Sequence, residues 1–258
     1  MSSDANPITH YYRQVEQLDL IIDKNSTLIK CLSIILQYRR MRELNMTVRN
    51  NKDISKEDQQ PASRLSKLSR LTQIVFRGSI LSDLDRFSLI LNAASNIFRL
   101  DMPIDYLLQL MEDQQITDLL RQRIMSLSIL GTDTPRSTIN LKEEHIPTIA
   151  SVFSRLCDLY VDIMHPPLNT QICSEENLSL QSYEQNSEVI SPLSSQSMIL
   201  CLLKKFKEYK LIGLCIDGNF DERLKTNAEQ WLRIHTNLCE QQFEAIFNNE
   251  LNRLLIWM

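Results

Sequence analysis

Apolar residues return along Ser79–Arg99 in steps of four and three: Ile80, Leu84, Phe87, Leu91, Ala94 and Phe98. At 3.6 residues per turn such positions share one side of an α-helix. Leu81, Ile90 and Ile97 widen the stripe, so the pattern predicts a helix buried over much of its circumference. The same rhythm starts behind Asn6-Pro7 and runs through Ile8, Tyr11, Val15, Leu18, Ile22, Asn25, Ile29, Leu32 and Leu36. It reads either as one long coiled-coil-like helix with Asn25 as a polar residue in its seam, or as a helical hairpin with a cap at Asn25 or Ser26.

Shorter series follow. Leu65, Leu68, Leu71 and Val75 predict a brief helix with Gly78 as its stop. Ile104–Met111 and Ile116–Leu127 predict two more, the second closing at Gly131, and Pro147–Met164 another before His165-Pro166-Pro167. A helix through Met198–Phe206 leads to Leu214-Cys215-Ile216, a strand fragment or buried turn bracketed by Gly213 and Gly218. From Asp221 a long helix runs almost to Met258.

The expected fold is all-α: a helical bundle or irregular array of about seven to nine helices, with a long N-terminal and a long C-terminal helix. Its parts are an N-terminal helix or hairpin (1–50), an exposed linker (51–63), a central bundle (64–165), a polar linker (166–196) and a C-terminal helical unit (197–258). No repeat of fixed period emerges, so no named solenoid class is indicated.

Composition narrows the chemistry. The chain has only four glycines where average usage gives roughly 18. Phosphate-cradling loops and nucleophile elbows need glycine, and neither G-x-x-x-x-G-K-[ST] nor G-x-G-x-x-G occurs, which excludes a P-loop or dinucleotide-binding enzyme. Six scattered cysteines without a C-x-x-C pair read as small buried hydrophobes in a reducing compartment. No run approaches the ~18 apolar residues of a membrane span.

His235 and Cys239 lie one helical turn apart, and Cys201 or Cys215 could complete a ligand set, but the spacing lacks a zinc pattern and no metal site is assigned. Glu143-Glu144-His145 lacks the H-E-x-x-H order. No nucleophile–base–orienter set stands out, so no catalytic residue, cofactor or small-molecule substrate is expected.

Charge is uneven. Residues 39–86 carry eleven Lys/Arg against six Asp/Glu, and residues 100–190 carry five against fourteen. The expected function is therefore a non-catalytic helical adaptor or structural subunit of an intracellular multiprotein complex, nuclear and chromosome-associated rather than cytoplasmic. It would act through helix–helix interfaces, homo- or hetero-oligomeric, using Val15, Leu18, Ile22, Asn25, Ile29 and Leu32. The alternative is a nucleic-acid-binding subunit that lines phosphates with Arg39, Arg40, Arg42, Arg64, Lys67 and Arg70.

Overall fold

A computed structural model describes residues 15–22, 34–35, 37–38, 40–48, 68–78, 87–131, 141–163, 193–207, 209, 211–236 and 243–258. They form one nine-stranded mixed sheet with helices, an α/β fold. The all-α bundle and its coiled coil are thereby overturned. The strands are β1 (Gln17–Ile22), β2 (Glu43–Val48), β3 (Gln73–Gly78), β4 (Arg99–Pro103), β5 (Ser126–Leu130), β6 (Asp158–Asp162), β7 (Gly213–Asp217), β8 (Glu244–Asn248) and β9 (Arg253–Trp257). Their spatial order is β1-β2-β3-β4-β5-β6-β7-β9-β8, and β1 to β7 are all parallel.

Each parallel strand lies beside its predecessor, so the chain advances one strand per turn, as a solenoid does. The registers align two inward rows. Leu18, Leu44, Ile74, Leu100, Leu127, Leu159 and Leu214 form one; Leu20, Met46, Phe76, Met102, Ile129, Val161 and Ile216 form the other. Three residues before the first row stand Met41, Leu71, Ile97, Ile124, Leu156 and Leu211, all buried. The turns repeat a second contact at the strand entrances. The carbonyls of Glu16, Arg42, Thr72, Phe98, Met125 and Cys157 each accept two successive amides of the next turn, at 2.7–3.1 Å. Those shared carbonyls satisfy the backbone where the strands begin.

Among the described residues seven α-helices fill the connections: α1 (Phe87–Ala93), α2 (Ile104–Met111), α3 (Gln114–Arg123), α4 (Ile146–Val152), α5 (Leu193–Phe206), α6 (Glu222–Thr226) and α7 (Ala228–His235). A chain stepping in one direction through crossovers of one hand carries them all over the same face. The helices and inward rows accordingly make one hydrophobic cluster. Phe76 marks its middle, with its ring stacked on Tyr106 at 5.1 Å and edge-on to Phe87 at 5.2 Å. Polar ties link successive turns on this side. Arg123 donates to the carbonyls of Leu91 and Ala94 at the end of α1, and Arg155 to that of Gln122 near the end of α3 at 2.6 Å.

The last turn differs. After α6 and α7 the chain forms β8 at the outer edge, reverses through Asn252 (φ 48°), and returns as β9 between β8 and β7. Leu254 and Ile256 join the core, and Phe220 meets Phe247 edge-on at 5.5 Å.

The helical periodicities were broken where turns meet strands. The Ser79–Arg99 series contains only α1 among its described residues, and Arg99 already opens β4. Ala94, Ile97 and Phe98, which follow α1 and lead into β4, continue its spacing of three and four and extend it into a false helical series. Gly78 ends a strand instead of a helix: its φ is +83°, and a Cβ there would sit 2.1 Å from the Val48 carbonyl oxygen. The Pro147–Met164 series divides into α4 and β6, and the long C-terminal helix into α6, α7 and the hairpin. Leu18 and Ile22 of the supposed N-terminal helix belong to β1, while Leu214-Cys215-Ile216 is the centre of β7. The stretch 51–63 lies outside the described residues; of 166–196 only 193–196 are described, opening α5.

Candidate functional site

Because side chains alternate along a strand, every turn that buries two residues presents three on the opposite face. The row nearest the strand entrances reads Gln17, Glu43, Gln73, Arg99, Ser126, Asp158, Gly213, Trp257 and Glu244. The middle row reads Asp19, Asn45, Val75, Asp101, Ser128, Tyr160, Cys215, Leu255 and Ile246. This face, free of helices among the described residues, is polar over most of its width, and its side chains bind one another across strands.

Two networks stand out. In the N-terminal half Asn45 donates to Asp19 at 2.6 Å and to Glu43 at 3.1 Å, and Gln17 also donates to Asp19. Gln73 and Arg99 then converge on the buried carboxylate of Asp101, at 2.9 and 3.1 Å. In the C-terminal half Asp217 accepts from Tyr160 at 2.6 Å and from both Nε and Nη2 of Arg253, whose guanidinium lies 5.4 Å from the Tyr160 ring centroid.

Burial, the Asp217 acceptor and the charges of Asp217 and Asp162 together raise the Tyr160 phenol well above its ordinary range. The hydrogen bonds to Asp217 hold the Arg253 guanidinium firmly charged. Burial pushes the Cys215 thiol up to about 11, against the pull of Arg253. At neutral pH these groups are therefore a phenol donor, a cation and a neutral thiol, suited to holding a shape and offering hydrogen bonds.

Along the strand entrances a different surface appears. Phe98, Met125 and Ile212, from the turns leading into β4, β5 and β7, are 46%, 39% and 55% exposed, and Trp257 beside them is 42% exposed. Half-buried Cys157 fills the place between Met125 and Ile212.

The residues singled out from sequence scatter differently. Val15 precedes β1 half-buried, Leu18 packs against the core and Ile22 is fully buried in it; Asn25, Ile29 and Leu32 lie outside the described residues. Arg40, Arg42 and Arg70 are exposed near the entrances of β2 and β3, while Arg39, Arg64 and Lys67 lie outside the described residues. His235 stacks on Trp231 at 4.5 Å, with Nδ1 2.8 Å from the Trp231 carbonyl oxygen; Cys239 is not among the described residues. Cys201 belongs to α5 and Cys215 to the opposite face of the sheet, and no metal-sized group of His, Cys, Asp or Glu occurs among the described residues. Sequence reasoning missed Asp158, Tyr160, Asp217, Arg253 and Trp257. The signal that could have found them is the recurring apolar-x-x-apolar-x-apolar stretch, whose intervening positions all face one way.

No family model, no curated protein and no solved structure matches this chain.

Proposed function

We propose that the chain is a non-catalytic protein-binding subunit, an adaptor or scaffold, whose partner docks on the face of the sheet opposite the described helices. The observation that carries this reading is the face itself: nine strands wide, with hydrogen-bonded polar rows beside exposed Phe98, Met125, Ile212 and Trp257. Exposed apolar residues rimmed by polar groups are the usual anatomy of a protein interface. One apolar-x-x-apolar-x-apolar strand per turn, with Leu at the middle apolar position in six of the seven parallel strands, is also close to the pattern of leucine-rich-repeat solenoids, stacked arrays that offer extended binding surfaces. The protonated Tyr160 and Cys215 support recognition more than reaction.

Affinity capture with the full chain tests the reading. Asn45→Lys, Arg99→Glu and Asp158→Lys on the sheet face should each lose proteins that the unaltered chain retains, whereas Gln109→Lys, exposed on α2, should retain them. The opposite pattern overturns it.

A second reading, nucleic-acid binding, draws on the exposure of Arg40, Arg42 and Arg70 near two neighbouring strand entrances. Charge reversal at these three would then weaken duplex binding and flatten its salt dependence. The proposed setting is intracellular and nuclear, resting on that same basic stretch. Among the described residues no helix is long and apolar enough to cross a membrane.

A further inference from the structure

The C-terminal half of the sheet face narrows the partner's chemistry, an inference that rests on the docking face proposed above. Strands β5 to β9 carry Asp158, Asp162, Asp217 and Glu244 outward, and Arg253 is their only cation. Arg253 is spent on Asp217. Asp158 and Glu244 are exposed, and among the described residues their carboxylates take no hydrogen bond or ion pair. These two stand in one row that reads Asp158, Gly213, Trp257, Glu244 across adjacent strands.

Gly213 opens a gap in that row. The point where its Cβ would stand is 3.0 Å from Asp158 Oδ1, so the carboxylate leans into the space that a side chain would fill. Trp257 rises from the next strand on the other side. A carboxylate on one wall and an indole on the other suit a cationic side chain, which gains an ion pair and a cation–π contact together. Immediately beside the gap runs the apolar edge, Phe98, Met125, Cys157 and Ile212, one residue per strand entrance. At ~4.8 Å between strands it spans about 14 Å, the reach of four or five residues of extended chain.

We propose that the partner element is an extended polypeptide segment in which an arginine or lysine is flanked by apolar residues. The cation seats over Gly213 between Asp158 and Trp257, and the apolar side chains lie along Phe98, Met125 and Ile212. The exposed carboxylates of Asp158 and Glu244 select against an acidic segment, and the apolar edge gives the segment its direction.

The probe is a phage-displayed library of random peptides panned on the full chain. Enriched peptides should carry Arg or Lys between aliphatic or aromatic residues. Their binding should weaken about tenfold with Asp158→Asn, and fall with added salt. Gly213→Val, which fills the gap, should abolish it. Asp158 is exposed and Asn is its isostere, so that variant carries the test even where Gly213→Val fails to fold. A library without basic enrichment, or selected peptides indifferent to both variants, overturns the assignment. Loss of binding through Asn45→Lys and Arg99→Glu alone would keep the docking face and reject this location. Loss through Gln109→Lys alone would reject both.

Discussion

Arg253 of β9 stands directly opposite Asp217 of β7 and closes on its carboxylate with two nitrogens, Nη2 reaching Oδ2 at 2.7 Å. Tyr160 donates to the same carboxylate from β6, so one buried side chain ties three neighbouring strands. Asp217→Ala removes the acceptor of both donors and should cost about 2 kcal/mol in a partly solvated site. Hydrogen exchange should then quicken over 243–258 while β2 to β4 stay protected, because each turn rests only on its neighbours. Unchanged protection at 243–258 would contradict this role.

Gly78→Ala should destabilise the chain by roughly 2–4 kcal/mol, from the left-handed backbone and from a Cβ driven into the Val48 carbonyl. Gly131→Ala should be far milder, since the obstacle there is the movable carboxylate of Asp162. Urea midpoints of the two variants decide the ordering.

Two phenylalanines separate core from surface. Phe76 is fully buried between Phe87 and Tyr106, and Phe76→Ala should cost about 3–5 kcal/mol. Phe98→Ala should change stability by no more than about 0.5 kcal/mol while reducing partner capture. Thermal unfolding and capture measured on the same preparations would expose any other outcome.

Cys215 gives a pH-dependent prediction. Its thiol is pushed up to about 11 by burial, while an unfolded chain's thiol ionises near ~8.5. Between those values the unfolded state holds fewer protons, so this group's contribution to stability falls as pH rises and levels off above about 11. Peptide-resolved alkylation of the folded chain should show Cys215 slow at pH 8 and fastest near the upper value. Rapid alkylation at pH 8 would place the thiol in another environment.

Several helices were legible because they are amphipathic and start cleanly. Ile104–Met111 follows Pro103, and Gln114–Arg123 begins where the Asp113 carboxylate accepts the amides of Gln115 and Ile116. The strands were not. Five or six residues with two inward apolar positions hold too little periodicity to compete with the apolar residues of the turns around them. Leu18, Leu44, Ile74, Leu100, Leu127 and Leu159 recur at steps of 26 to 32 residues, and Leu214 follows only after 55, so a search for one fixed period passes over them. The sheet-face residues were hidden for the same reason. Asp158, Gly213 and Trp257 are neighbours only through the register of β6, β7 and β9.

The unequal thickness of the two layers has a geometric outcome. Neighbouring strands are ~4.8 Å apart, whereas packed helices need roughly 8–10 Å between axes. Turns with strands on one side and helices on the other should therefore close like the stones of an arch, with the strands inside. On that packing Asp101, Tyr160 and Asp217 should line a hollow, and a partner that follows it must be convex or thin enough to lie within the curve.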